Sequence, residues 1–357
     1  MISFYPGPSQ LYPQVKQYLN DAYDSGILSK NHRSPDFIEM SKNTILTMKE
    51  KLNIPKDYTV LFTSSATECW EILGESFIDL FSLHIYNGAF GEKWYEYRRK
   101  LMPNAAAMEY SIQKIPSLNK LKNIAEKPEA ICVTHNETSN GTQLKNRVIK
   151  KIKSQFSDSL IFVDATSSMG GVTLDWLSAD VWYASVQKCF GLPSGMAVMV
   201  CSPKAIAKAK SLNQNKHYNS LTFMVEKMQD WQTTYTPNIL NIFLLGKILE
   251  EIPNITQIHR ALKNRKQEWE DFLKNNGYNL LVINSQVRSD TVFTIKAKEE
   301  HVKIIRENCE KAGFLLGKGY GTWKNNTFRI ANFPAIPAEA IEQLKEVLKE
   351  NNKSAIK

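Results

Sequence analysis

Short apolar runs that each end in a polar turn constrain the fold of this chain more than any other feature. Between about residue 59 and residue 201 these runs alternate with helical patterns. We predict strands at 59–63, 80–86, 130–134, 160–164, 181–186 and 196–201. Strands that alternate with helices are typical of a mostly parallel sheet with helices on its faces. The sequence therefore predicts an α/β fold for this part of the chain.

A second block of strand and helix patterns follows the first. It contains predicted strands at 291–296 and 326–331 and predicted helices at 299–313 and 337–351. This order predicts a separate, smaller α+β domain at the C-terminal end. We expect an N-terminal arm at 1–14, a large domain at 15–245 and a small domain at 246–357.

The composition is that of a protein with a large apolar core. The chain has 357 residues, of which 43% are hydrophobic, but no apolar run is long enough to span a bilayer. The N-terminus lacks a signal-peptide pattern, and the five cysteines show no CxxC spacing. We therefore expect a soluble cytoplasmic protein without disulfides, and we predict no metal site and no membrane association.

The formal net charge is +9, which raises the possibility of nucleic-acid binding. However, the lysines are spread over helical faces and alternate with Glu and Asp, and no RNA-binding or helix-turn-helix signature is present. This pattern favours a solvated lysine-rich surface. We expect no nucleic-acid partner.

Lys188 and Asp164 stand at the ends of two neighbouring predicted strands. Ligands bind at the carboxyl ends of the strands in sheets of this kind. Burial would lower the pKa of the Lys188 amine and make it a nucleophile toward carbonyl carbon. A lysine and an acid are also the partners that pyridoxal phosphate requires. The alternative is a lysine that extends from the strand end into solvent.

Three further turns could contribute to the same site. Ser65, Ala66 and Thr67 follow the strand at 59–63, where free backbone N–H groups suit an anion, although ordinary helix capping is the alternative. Phe90 follows the next strand and could stack on a planar ring or close the core. His32 and Arg33 precede a helix predicted to begin at 35, in a turn that could equally be a solvated loop.

An ordered set of motifs over nearly the whole chain resembles the class V aminotransferases, and among them the phosphoserine aminotransferases. The motifs are FYPGPSQL at 4–11, HRSPDF at 32–37, NETSNG at 136–141, VDATSS at 163–168, QK at 187–188, YTP at 235–237 and FR at 328–329. The resemblance implies the fold type I of pyridoxal-phosphate-dependent transferases, with a mostly parallel central sheet, flanking helices and a smaller C-terminal α+β domain. It also implies transfer of an amino group between an amino acid and a 2-oxo acid.

The resemblance further implies a role for each candidate site residue. Lys188 would carry the cofactor, pyridoxal 5′-phosphate, as a Schiff base and transfer a proton, while Asp164 would pair with its ring nitrogen. The other implied cofactor contacts are Ser65, Ala66, Thr67, Phe90, Thr138, Gln187, Tyr235 and Thr236. Arg329 would bind the substrate α-carboxylate as a bidentate fork, and His32 and Arg33 would be further substrate-binding residues. Thr236 and the His32–Arg33 pair would come from the partner subunit, which implies a homodimer with shared active sites.

Two departures from the family pattern bear on the substrate. By alignment, Ala66 stands where the family has an arginine, and Tyr320 and Gly321 stand where it has a His-Arg pair. A substrate phosphate needs several cations, since one arginine cannot offset two negative charges removed from water. We therefore expect phosphoserine to be a poor substrate.

Other chemistries on the same scaffold remain alternatives. These are an alanine–glyoxylate-type transaminase, a cysteine desulfurase, a lyase, and a cofactor-binding protein without turnover. A desulfurase needs a thiol on a mobile loop, whereas Cys309 lies within an amphipathic helix pattern. An aldolase could use Lys188 as a Schiff base but would not need a phosphate cup.

Overall fold

The computed structural model describes residues 1–101, 103–121 and 127–355. Positions 102 and 122–126 of the predicted large domain, and 356–357 of the predicted small domain, lie outside the described residues. Within the described part of the chain, no helix combines the length and the hydropathy that crossing a bilayer requires.

A sheet of seven strands forms the centre of the larger half of the molecule. Its strands, in spatial order, are Thr59–Thr63, Ala197–Cys201, Val181–Ser185, Leu160–Asp164, Ala130–Thr134, Ser82–Tyr86 and Ala105–Glu109. Ala197–Cys201 is antiparallel to both of its neighbours, and the other pairs are parallel. The predicted mostly parallel α/β sheet is therefore confirmed, with one strand reversed.

The direction of the strands fixes where polar turns can meet. Thr59–Thr63 and Val181–Ser185 are each antiparallel to Ala197–Cys201, so they point the same way as the parallel strands. The carboxyl ends of all these strands consequently lie along one edge of the sheet. The turns that follow Thr63, Tyr86, Thr134, Asp164 and Ser185 converge there.

Helices cover both faces of this sheet, which explains why its central strands are buried throughout. The helices of the chain are Val15–Asp24, Pro35–Leu52, Ala66–Ser76, Ala89–Leu101, Leu118–Leu121, Asn146–Gln155, Pro203–Leu212, Leu221–Met228, Ile239–Glu251, Ile255–Asn275, Glu299–Lys311 and Ala338–Ala355, with 3₁₀ turns at Ile27–Ser29, Trp176–Ser178, Ser285–Val287 and Gly321–Trp323. The helix predicted to begin at 35 is confirmed, and Ser34 caps it by accepting a hydrogen bond at Oγ from Phe37 N at 3.3 Å.

A second sheet of five strands lies in the C-terminal half. Its order is Ile2–Phe4, Phe314–Lys318, Thr327–Ala331, Val292–Lys296 and Asn279–Leu280. A further two-stranded ribbon pairs Asn136–Glu137 with Thr142–Gln143. Only Val292–Lys296 and Thr327–Ala331 of these strands were predicted. Ile2–Phe4 belongs to the segment predicted as an arm, and Phe314–Lys318 follows directly on a predicted helix.

The core divides into two apolar clusters, one around each sheet. The helix Ile239–Glu251, which contains the predicted domain boundary at 245/246, packs against Pro35–Leu52 and Val15–Asp24 of the larger half. Residues 246–251 thus continue a helix of the larger half. The domain boundaries themselves stay a prediction.

Candidate active site

Lys188 lies in the turn that follows Val181–Ser185, and its side chain is buried. Its Nζ atom donates hydrogen bonds to Thr138 Oγ1 at 2.9 Å and to Ser167 Oγ at 3.0 Å. Burial lowers the pKa of Lys188 to about 8, against the opposing effect of the Asp164 carboxylate. The amine is therefore neutral more often near neutral pH than an exposed lysine amine, as a nucleophile must be.

Asp164 is the last residue of the neighbouring strand and is also buried. Its Oδ1 atom accepts a hydrogen bond from Thr166 N at 2.9 Å. Burial raises the pKa of this carboxyl, while the hydrogen bonds from Thr166 and the charge of Lys188 oppose that rise. A cationic or protonated group placed beside Asp164 would therefore stabilise its charged form.

A cavity of about 290 Å³ opens at this edge of the sheet. Eight residues proposed from the sequence line it: Ala66, Thr67, Phe90, Thr138, Asp164, Gln187, Lys188 and Arg329. Its wall also contains the aromatic residues Tyr5, Trp70, Tyr97 and Tyr320 and the cation Lys93. The cavity therefore contains a nucleophilic amine, a carboxylate, a guanidinium and several aromatic rings.

The helix Ala66–Ser76 begins at this cavity. Ser65 caps it by accepting a hydrogen bond from Glu68 N at 3.0 Å, so its hydroxyl serves the helix and Ser65 does not line the cavity. Ala66 N donates to Ser185 Oγ at 3.0 Å. No described residue accepts a hydrogen bond from the N–H of Thr67, and a helix N-terminus with a free N–H suits an anion.

Phe90 and Tyr320 form an aromatic stack inside the cavity. Their ring centroids are 5.1 Å apart, and their planes differ by 17°. Lys188 Nζ lies 5.2 Å from the centroid of Phe90, and Arg329 Cζ lies 5.5 Å from that of Tyr320. Each ring of the stack thus has one of the two cations within cation–π distance.

Arg329 is buried at the middle of the strand Thr327–Ala331. Its Nε atom donates to Lys318 O at 2.8 Å, and its Nη1 atom donates to Thr138 O at 2.8 Å. No described residue accepts a hydrogen bond from Nη2. The side of the guanidinium formed by Nη1 and Nη2 can therefore still bind a carboxylate through two hydrogen bonds.

Besides Ser65, four of the predicted site residues do not line this cavity. His32 Nδ1 lies 3.3 Å from Thr236 Oγ1, and Arg33 is exposed beside His32. Tyr235 packs edge-on against Tyr218, with ring centroids 6.0 Å apart. The chain thus brings His32 and Thr236 together, at a place separate from Lys188.

Several buried polar atoms around the cavity lack a hydrogen-bond partner in the described protein. They are Thr134 Oγ1, Asn136 Nδ2 and Gln187 Oε1. Buried polar groups are almost always hydrogen-bonded, so these atoms indicate a polar ligand. A pyridine ring with hydroxyl and phosphate substituents has the required groups, and the residues present therefore fit pyridoxal phosphate.

Sequence reasoning did not assign Ser167 and Glu137. Ser167 Oγ contacts Thr138 Oγ1 at 2.5 Å as well as Lys188, and Glu137 accepts hydrogen bonds from the first turn of the helix Ala89–Leu101. Both lie in polar turns that were predicted from the sequence, but neither residue was given a role. The only signal in the sequence was their position directly after predicted strands.

The known proteins that this chain resembles agree with the geometry of the site. The family model described as aminotransferase class V matches residues 4–323. A putative phosphoserine aminotransferase from Mycobacterium leprae (strain TN) is 26% identical over 363 residues, which cover 96% of this chain and 92% of the relative.

Two solved structures illustrate the structural similarity. A phosphoserine aminotransferase from Cytophaga hutchinsonii ATCC 33406 has a TM-score of 0.92 and 34% identity, with 98% of each chain covered. An alanine–glyoxylate aminotransferase from Nostoc sp. has a TM-score of 0.85 and 18% identity, covering 98% of this chain and 94% of that chain. The second likeness concerns the fold alone. The expected fold type I of pyridoxal-phosphate-dependent transferases is confirmed.

Proposed function

The chain belongs to the class V aminotransferases and is a pyridoxal-phosphate-dependent transaminase, and we propose that Lys188, Asp164 and Arg329 carry its chemistry. The observation that supports this most directly is the buried Lys188 amine. It faces the same cavity as the Asp164 carboxylate and the Arg329 guanidinium. These are the groups needed to bind an amino acid and to move the proton from its α-carbon.

Each residue has a defined task in this proposal. The cofactor, when bound, supplies an aldehyde carbon and a ring that takes up electrons from the substrate. Asp164 holds a proton at the ring nitrogen, and Thr138 and Ser167 orient the Lys188 amine through their hydrogen bonds. Arg329 binds the substrate carboxylate and so directs the α-hydrogen toward Lys188. The Lys188 amine, once free, removes the α-proton of the substrate and then delivers it to the cofactor carbon.

The cofactor itself would be held at three places. The free N–H of Thr67, at the start of Ala66–Ser76, would bind its phosphate together with Gln187. The ring of Phe90 would stack on the pyridine, and Thr138 would lie near the ring hydroxyl. The free N–H of Thr67 supports the position of the phosphate, because an anion would provide its missing partner.

The test of this proposal is a spectrum of the purified protein. We expect an absorbance band from the Schiff base that borohydride removes, and transamination that is lost in Lys188→Ala. Lys93→Ala is the matched control, since Lys93 lines the same cavity and should leave the band in place. A Lys188→Ala variant that transaminates at the wild-type rate would refute the assignment.

We further propose a homodimer whose two sites each use residues from both subunits. Support comes from the short distance between His32 and Thr236, combined with the absence of both residues from the cavity lining of their own chain. A two-fold axis would present these residues to the partner's cavity, where Thr236 would reach the phosphate and His32 and Arg33 the substrate.

Complementation tests the shared sites. Lys188→Ala and Arg33→Ala chains are each expected to be nearly inactive alone. Random mixing should restore about a quarter of wild-type sites, because each mixed dimer contains one intact site. No recovery on mixing, or a monomer fully active at nanomolar dilution, would contradict the proposal.

The donor is proposed to be an amino acid other than phosphoserine. The cations that line the cavity of one chain are Lys93, Lys188 and Arg329. Two of these are committed to the cofactor and the α-carboxylate, while Ala66 supplies no charge and Tyr320 supplies a ring. The remaining cations would be Lys93 and those from the partner, so a less charged or partly apolar side chain fits better.

Steady-state assays with 2-oxoglutarate decide this question. Phosphoserine, glutamate, alanine, aspartate and aromatic donors should be compared by catalytic efficiency. A value for phosphoserine at least about tenfold above every other donor, or ~1.4 kcal/mol in transition-state binding, would overturn the proposal. It would leave the assignment as a transaminase intact.

Cysteine desulfurase chemistry is not favoured by the described structure. All five cysteines are buried, and Cys309 lies within the helix Glu299–Lys311. A thiol that must reach the substrate needs access that these positions lack.

A further inference from the structure

Glu137 is a buried carboxylate in the turn that follows Ala130–Thr134. Its Oε2 atom accepts hydrogen bonds from Phe90 N and Gly91 N, each at 3.2 Å. Its Oε1 atom accepts from Ser139 N at 2.9 Å and from Ser139 Oγ at 2.6 Å. Burial raises the pKa of Glu137, while the hydrogen bonds from Ser139 and Gly91 oppose that rise and favour the ionised form, which only accepts.

These bonds fix the start of the helix Ala89–Leu101. Ala89 N donates to Ser139 Oγ at 3.1 Å, and the next two N–H groups, those of Phe90 and Gly91, point at Glu137. The backbone N–H groups in the first turn of this helix therefore donate to Glu137 and Ser139, and not to residues of the helix itself. A carboxylate at this end of a helix is also favoured by the helix dipole.

The residue after Glu137 makes the other two contacts of the site. Thr138 Oγ1 accepts a hydrogen bond from the Lys188 amine, and Thr138 O accepts one from Arg329 Nη1. Glu137 and Thr138 therefore contact the segments that carry the stacking ring, the nucleophilic amine and the guanidinium that would bind the substrate. A shift of this turn would move all three.

We propose that Glu137 is a positioning residue that sets the ring of Phe90 against the cofactor and keeps it in register with Lys188 and Arg329. The inference rests on the proposed stacking of the cofactor on Phe90. Glu137 touches neither cofactor nor substrate in this account and acts through the backbone of the helix Ala89–Leu101. Glutamine cannot replace it, because one of its two terminal atoms would turn a donor toward N–H or O–H groups.

The test compares variants by their affinity for pyridoxal phosphate and by their kinetics. Glu137→Gln should raise the dissociation constant of the cofactor by about tenfold or more and lower kcat, with the change in KM secondary. Asp180→Asn is the matched control, since Asp180 is an equally buried carboxylate that lies before Val181–Ser185, at the opposite edge of the sheet. It should alter stability without altering cofactor affinity.

A double-mutant cycle with Phe90→Ala shows whether Glu137 acts through the ring. If it does, Glu137→Gln should change the cofactor dissociation constant by less than about threefold in the Phe90→Ala background. Effects that multiply in full would overturn the inference. So would a loss of affinity in Glu137→Gln no larger than in Asp180→Asn.

Two further outcomes separate this inference from the proposed function. A wild-type protein without a Schiff-base band would refute the proposed function, whereas a normal band with independent effects in the cycle would refute only the role of Glu137. If Glu137→Gln does not fold, Ser139→Ala carries the same test, because it removes the donor Oγ from Oε1 and frees Ala89 N.

Discussion

Asp290 joins the two halves of the molecule through its charge, and replacing it with asparagine tests how much that charge contributes. Its carboxylate lies 3.0 Å from Lys145 Nζ, 2.8 Å from Lys266 Nζ and 3.4 Å from His259 Nε2. Only 4% of the Asp290 side chain is exposed. Lys145 precedes the helix Asn146–Gln155, whereas the other two partners lie on Ile255–Asn275.

Asp290→Asn keeps the shape of the side chain but leaves two lysines facing each other with little solvent. Removing one member of a buried ion cluster costs about 3–5 kcal/mol, because the remaining charges lose their compensation. The matched control is Asp158→Asn, whose carboxylate pairs with Lys127 but is 76% exposed. Solvent screens such a pair, so the control should unfold at the wild-type urea concentration.

The pH dependence of this effect has a definite sign. Burial alone would raise the pKa of Asp290, but His259, Lys145 and Lys266 outweigh burial and hold the pKa far below its ordinary value. A depressed carboxyl pKa contributes stability above the unfolded value of about 3.9, and that contribution is lost as the pH falls further. The difference between wild type and Asp290→Asn should therefore be constant from pH 7 to about pH 5 and shrink in stronger acid.

Urea unfolding of the cofactor-free protein measures the effect through tryptophan emission. The emission comes from seven tryptophans, one of which, Trp269, is buried on the same helix as Lys266 and His259. A midpoint for Asp290→Asn equal to that of Asp158→Asn would refute the argument. A difference that persists undiminished at pH 2 would refute the electrostatic part of it.

Three other predictions concern the site. Arg329→Ala should raise KM for the amino acid by about 10- to 150-fold, corresponding to the ~1.5–3 kcal/mol of a charge-assisted fork, while cofactor binding stays nearly intact; an unchanged KM counts against the role. The rate at which cofactor-free protein binds pyridoxal phosphate should rise with pH toward about 8, the lowered pKa of Lys188, and level off above it; a flat profile from pH 6 to 9 would contradict this. Burial raises the pKa of the Cys189 and Cys201 thiols, so a thiol reagent should label the native protein slowly and the urea-unfolded protein at once; rapid labelling of the native form would show accessible thiols.

The sequence predicted the central strands well, because their physical signals are local. Thr59–Thr63, Ala130–Thr134 and Leu160–Asp164 are apolar runs between polar turns, and their predicted bounds match the structure. The strand Ala105–Glu109 was missed, since it lies at the sheet edge, is only partly buried and consists mainly of alanine. Phe314–Lys318 was missed because it follows a helix after only two residues.

The site shows the same division between local and distant information. Lys188, Asp164 and the turn at Ala66 could be proposed from strand ends alone, since parallel strands place their carboxyl ends together. The four hydrogen bonds of Glu137 could not be predicted in this way, because they depend on how a distant helix begins. Glutamate in a polar turn ordinarily indicates solvent exposure, and nothing in its neighbours signals burial.

The strand Ile2–Phe4 pairs in parallel with Phe314–Leu316, and this has a consequence for the order in which the protein is built on the ribosome. All strands of the larger sheet lie between 59 and 201, so that sheet can assemble while the rest of the chain is being synthesised. The strand Ile2–Phe4 must instead wait until Phe314–Leu316 has emerged. The segment that follows it donates Ser9 N to Gln187 O and Tyr12 N to Gly191 O, on either side of Lys188. A nascent chain therefore completes the enclosure of its reactive lysine only after Phe314–Leu316 has emerged, close to the point at which Arg329 also becomes available.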